Sequence, residues 1–211
     1  MIRIRVPAYD WALVQHLSRR DDDAKPTLWE RTTGRVGRFK RDVTALLMVQ
    51  QRRRCAYCRS YLHEDYPARD HVAPKAVYPK WTFRPENLVL ACYACNTDRK
   101  DSYDPIEVWH RKYRRCRFKI VHPYFDRPGA HLDYSIGGPR QILIAGITPK
   151  GDETISRFEL MTPERAKERA ADALVEDQPN RLQQQFQNDY RAVLAMRRPL
   201  KPAVRIRPAR L

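Results

Sequence analysis

The stretch that decides the fold runs from CAYC at residues 55–58, through RDHVAPK at residues 69–75, to CYACN at residues 92–96. Each CxxC turn aims two sulfurs at one point, and two such turns complete a tetrahedral set of four thiolates. A redox role for either pair is the less favoured alternative, because no thioredoxin-like βαβ pattern surrounds them. The spacing therefore predicts a closed structural Zn²⁺ site made by Cys55, Cys58, Cys92 and Cys95.

A second set of motifs is interleaved with the cysteine pairs. It consists of the DHxxP sequence that begins at Asp70, the ENL sequence at residues 86–88, and Asn96 directly after the last cysteine. Taken together over residues 52–105, these motifs resemble the zinc-ribbon branch of the HNH endonuclease family. The resemblance implies an α+β fold with a ββα-metal core stapled by the four-cysteine zinc site. It also implies hydrolysis of phosphodiester bonds in nucleic acid.

The chemistry of that reaction assigns an expected role to each polar residue. Hydrolysis of a phosphodiester needs an activated water and a cation on the scissile phosphate. His71 is the expected general base, because imidazole accepts a proton near neutral pH. By the resemblance, Asp70 and Asn96 hold a catalytic divalent ion, and their oxygen donors favour Mg²⁺ or Mn²⁺. The resemblance also implies that Asn87 fixes the loop and orients the base. Lys100, one helical turn after Asn96, is expected either to contact a phosphate or to be a solvated surface lysine.

The composition favours a nucleic-acid partner. The 211 residues include 41 Lys and Arg against 25 Asp and Glu, which gives a formal net charge of +16 at pH 7. Such a charge suits a phosphate backbone, because each bound cation releases condensed counterions. An acidic membrane surface or an acidic protein would also suit it. We expect DNA, held through its phosphates with little sequence specificity. The sequence has no apolar run of about 18 residues and no secretory pattern at its start, so we expect a cytoplasmic protein that does not span a membrane.

The chain is expected to divide into four parts. Residues 1–51 form a helical N-terminal extension, in which residues 36–51 carry apolar side chains at helical spacing. Residues 52–105 form the nuclease core. Residues 106–196 form an α+β extension that is a candidate for partner docking, and residues 197–211 form a basic flexible tail.

The C-terminal extension is predicted to combine a β-hairpin with helices. A basic helix is expected over residues 105–119. Residues 141–148 and 153–160 are strand-like, and the turn-like sequence Pro149-Lys150-Gly151-Asp152 between them predicts a hairpin. Two further helices are expected, over residues 163–176 and 180–196.

A further resemblance concerns the region after the core. The sequence HPYFD at residues 122–126, with Gly146 and Lys150-Gly151 after it, resembles the HNH nuclease subunit of Septu-type anti-phage defence systems. That resemblance implies an effector nuclease in bacterial defence, acting beside an ATPase partner. The chain has no GxxxxGK[ST] phosphate loop, so any ATP hydrolysis would come from another protein.

Two other kinds of protein are consistent with the same residues. One is a catalytically silent zinc-ribbon module that binds nucleic acid, and the other is a subunit whose main role is to dock an ATPase. Retention of four site residues together favours the nuclease over a decayed module. These residues are Asp70, His71, Asn87 and Asn96.

Several remaining residues are expected to be structural. Trp81, Phe83 and Tyr93 are interpreted as core side chains rather than as rings that stack on bases. Cys116 is interpreted as an inert, partly buried thiol and less favourably as a reactive one. The histidines outside the motif are also interpreted as structural, with His122 the one that most merits inspection. They are His16, His63, His110, His122 and His131.

Overall fold

The computed structural model describes residues 1, 3–62, 67–137, 142–177 and 188. It is a mixed α/β protein with small two-stranded sheets, helices and a four-cysteine cluster. The chain divides into two compact units, Met1–Ala171 and Asp172–Leu211, and every site residue discussed below belongs to the first. No helix in the described part of the chain is both long enough and apolar enough to cross a membrane. The division into four parts stays a prediction.

Three helices precede the first knuckle, which we define as residues 55–58. Asp10 is the N-cap of helix α1 (Trp11–Ser18), and its carboxylate accepts a hydrogen bond from the Leu13 amide. Helix α2 (Lys25–Trp29) is short. Helix α3 (Gly34–Gln50) confirms the helix predicted over residues 36–51. It buries apolar side chains three or four residues apart, which are Val36, Phe39, Val43 and Leu47.

The centre of the fold is an antiparallel hairpin followed by a helix. Strand β1 (Ala68–His71) pairs with strand β2 (Leu88–Ala91), and Asp70 lies opposite Val89 in this register. All four residues of β2 are buried. The chain then forms helix α4 (Ala94–Lys100), which has π-helical hydrogen bonding. Every polar residue of the DHxxP and CYACN motifs therefore lies on one of these elements or beside it.

The basic helix predicted over residues 105–119 is wrong. This segment is instead a hairpin of strands β3 (Ile106–Val108) and β4 (Arg117–Phe118), with a 3₁₀ turn at Tyr113–Arg115 between them. A helix would have stacked the like charges of Arg111 and Arg115 one turn apart, which is unfavourable. The β-branched residues of β3 and their pairing with β4 favour the extended form.

The hairpin predicted over residues 141–148 and 153–160 is also wrong. Helix α5 (Pro149–Phe158) occupies most of the second run, and its N-cap Thr148 accepts a hydrogen bond from the Gly151 amide. Proline at the first position and an acid in the first turn complete a strong helix start. In the first run, strand β6 (Ala145–Gly146) pairs instead with strand β5 (Leu132–Asp133).

Helix α6 (Pro163–Asp177) confirms the helix predicted over residues 163–176. The helix predicted over residues 180–196 lies outside the described residues except for Asn188, and the predicted tail at 197–211 lies wholly outside them.

Aromatic side chains fill the core around the first hairpin. Trp81 and Phe83 are buried, as expected, whereas Tyr93 is 71% exposed, so its interpretation as a core residue is wrong. The Trp29 ring packs edge-on against His71, with ring centroids 4.5 Å apart. This contact places helix α2 against the strand that carries the expected base.

Candidate active site and metal centre

The four cysteine sulfurs form one cluster. All four Sγ atoms lie within 4.8 Å of one another, and the Cys58 and Cys92 sulfurs are 3.7 Å apart. A tetrahedral Zn²⁺ with Zn–S bonds of about 2.3 Å requires sulfurs about 3.8 Å apart. The cysteines are therefore positioned to hold one metal ion, and a donor set of four sulfurs is the set that structural Zn²⁺ prefers.

Gln51 ties the first knuckle to strand β2. Its buried amide group donates to the carbonyls of Arg54 and Leu90, both at 2.8 Å, and accepts from the Leu90 amide at 2.9 Å. The Ala56 amide donates to the same Leu90 carbonyl at 3.0 Å. The knuckle is thus held in register with the hairpin by bonds that no sequence motif indicated.

A buried arginine lies beside the cluster. The Cys58 sulfur contacts the Ser60 hydroxyl at 3.3 Å, and Arg165 of helix α6 donates to that hydroxyl at 2.9 Å and to Glu168 at 2.6 Å. Four thiolates carry more negative charge than one divalent ion neutralises, so a nearby guanidinium stabilises the loaded cluster. The sequence pattern did not single out Arg165, because it lies more than 100 residues from the first knuckle.

His71 is held as a neutral imidazole. It is 6% exposed, and burial lowers its pKa to about 4, although the bond to Thr82 and the charge of Asp70 act in the opposite direction. The Nε2 atom lies 2.9 Å from the Thr82 carbonyl oxygen. A carbonyl oxygen only accepts, so Nε2 carries the proton and Nδ1 is the basic nitrogen. This tautomer suits a general base.

Asp70 is held by a hydrogen bond on each carboxylate oxygen. The Tyr57 hydroxyl donates to Oδ2 at 2.5 Å, and the Lys100 ammonium donates to Oδ1 at 3.0 Å. Lys100 also donates to the His71 carbonyl at 2.8 Å. It is 2% exposed, which rules out the solvated alternative for this lysine; a contact with phosphate stays a prediction. Tyr57 lies inside the first knuckle and stacks on Phe158 at 4.1 Å, so the knuckle itself supports Asp70.

Asn87 clamps the chain on both sides of the base. Its amide accepts from the Ala73 N–H at 2.7 Å and donates to the Ala73 carbonyl at 3.0 Å and to the Trp81 carbonyl at 3.2 Å. Ala73 follows His71 by two residues, and Trp81 precedes Thr82, whose carbonyl holds the ring. This geometry agrees with the loop-fixing role expected for Asn87.

A buried hydrogen-bond chain supports Asn87 in turn. The Tyr113 hydroxyl donates to Asn87 Oδ1 at 2.7 Å and lies 3.0 Å from His122 Nε2. His122 Nδ1 accepts from the Tyr124 amide, so Nε2 carries the proton and donates to Tyr113. Burial lowers the pKa of His122 well below its usual value, with a smaller contribution from Lys150. Sequence inspection pointed to His122 without giving it a role, and it missed Tyr113 as a site residue.

Asn96 is partly exposed at the start of the π-helix, and its amide nitrogen lies 3.4 Å from the Thr97 hydroxyl. No hydrogen bond within the described part of the chain uses its amide oxygen. The donor types of Asp70 and Asn96 fit a hard divalent ion, and each Asp70 oxygen keeps one lone pair. The Lys100 ammonium already neutralises this carboxylate, however, so a divalent ion bound there would have to share Oδ1 with it or displace it.

The other residues interpreted as structural have ordinary surroundings. Cys116 is buried, its thiol donates to the His110 carbonyl at 3.3 Å, and burial raises its pKa. His131 contacts the Thr148 hydroxyl at 2.9 Å, and half-buried His16 contacts the side chains of Arg20 and Arg35. His63 lies outside the described residues.

Comparison of the chain with protein-family models, curated proteins and solved structures finds no match. The functional argument therefore rests on the side chains and their geometry.

Proposed function

We propose that this protein is a metal-dependent endonuclease of the HNH type, with β1, β2 and α4 as its ββα-metal core and Zn²⁺ as the structural ion in its cysteine cluster. The observation that carries the proposal is the state of His71. It is a buried neutral imidazole whose Nε2 proton is committed to a backbone carbonyl, and it is followed by a clamped loop. If His71 only filled the core, the buried ion pair of Asp70 and Lys100 beside it would have no evident function.

In the proposed reaction, Nδ1 of His71 takes a proton from the attacking water. The Thr82 carbonyl keeps the ring in orientation and stabilises the imidazolium that forms. Because burial keeps the free ring neutral throughout the neutral range, the base is in its competent form before substrate binds. The negative charge of a bound phosphodiester then raises the pKa of the ring and makes it a stronger base.

Asp70 and Asn96 are the residues that would hold Mg²⁺ or Mn²⁺, as their oxygen donors suggest. A bound divalent ion supplies Lewis-acid stabilisation of the charge on the scissile phosphate and the leaving oxygen. Tyr57 and Lys100 fix the Asp70 carboxylate in place. The net charge of +16 supports a polyanionic substrate, and we propose DNA bound through its backbone.

Plasmid cleavage in Mg²⁺ or Mn²⁺ tests the proposal. The intact chain should nick or linearise plasmid, and both His71→Ala and the omission of Mg²⁺ and Mn²⁺ from the zinc-loaded protein should abolish cleavage. His16→Gln is the matched control, because it removes a half-buried histidine that lies outside the motif. Cleavage that survives His71→Ala in zinc-loaded protein would contradict the assignment of the base.

A catalytically silent nucleic-acid-binding module is the second candidate. The observation that favours it is the ion pair between Asp70 and Lys100, since a carboxylate with its own buried counter-ion has no need of a metal. This protein would bind DNA with a steep salt dependence and cut nothing with any divalent ion.

An effector role in anti-phage defence beside an ATPase is proposed from the sequence resemblance alone. Co-purification with an ATPase encoded beside it, compared with the chain purified alone, tests this association. A stable complex that cuts DNA only when ATP is hydrolysed would support it, whereas a monomer fully active without a partner would refute it.

A further inference from the structure

A cavity of about 360 Å³ lies where helix α1 meets the segment that precedes strand β2. We call it the Trp11 pocket. Trp81 is a core side chain whose carbonyl accepts from Asn87, and Glu86 belongs to the ENL motif; the other lining residues have no role in the site described above. The side chains that matter are Trp11, Lys80, Trp81, Arg84, Glu86 and Arg114.

A buried carboxylate organises two arginines at this pocket. Glu86 is 4% exposed, and its Oε1 accepts from Arg114 Nε at 3.0 Å, from Arg114 Nη2 at 2.7 Å and from Arg84 Nη2 at 3.3 Å. Two guanidiniums repel each other in the absence of an anion between them. Glu86 therefore holds both in fixed positions. With Lys80 included, three cations against one carboxylate leave the pocket positively charged and ready for an anion.

The pocket also offers aromatic surface. Trp11 is 48% exposed and packs edge-on against Tyr9 at 5.9 Å, so its indole remains accessible. The Lys80 ammonium lies 4.7 Å from the ring centre of buried Trp81 and 4.4 Å from that of exposed Trp109. An open indole beside fixed cations matches a flat base joined to a phosphate, because stacking and charge pairing then act on one ligand.

The pocket shares its wall with the candidate active site. Trp81 contributes its side chain to the pocket, while its carbonyl accepts from Asn87. The next residue, Thr82, supplies the carbonyl that holds His71. The Trp81–Thr82 backbone is therefore what separates a nucleotide in the pocket from the ring of His71, the proposed general base.

We propose that the Trp11 pocket binds one unpaired nucleotide of a nucleic-acid strand, with the base against Trp11 and the phosphate on the arginines. This inference rests on the proposed function and deepens it, because it makes a single-stranded segment the preferred substrate. A base inside a duplex has both faces covered by its neighbours and cannot stack on Trp11. The strand, rather than a free nucleotide, is the occupant because the net charge of +16 suits a polyanion.

Binding is measured without cleavage, on full-length zinc-loaded protein carrying His71→Ala in the absence of Mg²⁺. Fluorescence anisotropy with a labelled 12-nucleotide oligothymidylate should show tighter binding than with a duplex of the same length. Trp11→Ala should weaken binding of the single strand at least fivefold, and Trp11→Phe should recover part of it. Arg114→Gln should weaken it more than Arg115→Gln, which removes the same charge from the neighbouring residue.

The inference would be overturned by wild-type affinity in Trp11→Ala, or by equal losses in Arg114→Gln and Arg115→Gln. Competition by thymidine monophosphate at a lower concentration than by the strand would also overturn it in favour of a free nucleotide. These readouts do not depend on catalysis, so a protein that cuts nothing can still pass this test. A protein that cuts plasmid can likewise fail it.

Discussion

Removal of one hydroxyl, in Tyr113→Phe, should destabilise the protein and slow the proposed reaction together. The change leaves the His122 N–H buried and without a partner, which costs about 1–3 kcal/mol. It also removes one of the two bonds that Asn87 Oδ1 accepts, for about 0.5–1.5 kcal/mol more. The expected loss is therefore about 1.5–4.5 kcal/mol in the free energy of unfolding, or about 3–18 °C in Tm.

Urea unfolding of the zinc-loaded chain measures the first effect, with Tyr61→Phe as a surface control that should change stability by less than about 0.5 kcal/mol. Steady-state cleavage measures the second. Because Asn87 clamps the backbone around His71, kcat should fall while KM changes little. An unchanged free energy of unfolding in Tyr113→Phe would refute the hydrogen-bond chain. A destabilised variant with the kcat of the intact chain would show that the chain supports the fold but does not position the base.

Three other predictions follow from the same contacts. Lys100→Met removes the counter-ion of Asp70, so on the His71→Ala background it should tighten Mn²⁺ binding at least tenfold. Electron paramagnetic resonance measures this affinity, and an unchanged value would show that Mn²⁺ does not bind beside Lys100. The folded pKa of His71 is about 4 against 6.5 unfolded, so its stabilisation is complete above pH 6.5 and is lost as pH falls toward 4. Between pH 7.5 and pH 5 the free energy of unfolding should therefore fall by about 2 kcal/mol because of this residue. His71→Asn should remove that part of the fall. Cys58→Ser should abolish binding of one Zn²⁺ per chain, measured by metal analysis, and lower Tm by more than about 10 °C; retention of stoichiometric zinc would contradict the four-cysteine site.

The parts of the structure that the sequence could predict are those where local chemistry leaves few choices. Two CxxC pairs in one chain are typical of a four-cysteine metal site, and the four sulfurs do lie together. The helix at Pro163–Asp177 was predictable from Thr162 and Pro163, a cap followed by a proline. The same signature occurs at Thr148 and Pro149, but the glycine two residues later also fits a turn, and the turn interpretation predicts a hairpin where the chain forms helix α5.

The structure shows a different reason why position 151 is a glycine. A Cβ atom there would lie 1.9 Å from the carbonyl oxygen of His131, so the residue permits close packing of helix α5 rather than a turn. The hydrogen bonds of Tyr113 to Asn87 and of Lys100 to Asp70 are unpredictable for a similar reason. Their partners lie 26 and 30 residues apart along the chain, and neither pair forms a periodic pattern.

The four-cysteine cluster and the candidate active site are linked by Tyr57 and Lys100, the two residues that hold Asp70. Tyr57 is placed by the cysteines on either side of it, and its hydroxyl fixes one oxygen of Asp70. Lys100, at the end of the helix that begins beside Cys95, fixes the other. A closed cluster of four sulfurs has no position free for substrate, yet both supports of Asp70 are anchored to it. Loss of the metal should therefore destabilise the fold and also free the Asp70 carboxylate to move. The cluster thus contributes to the proposed reaction only by positioning Asp70.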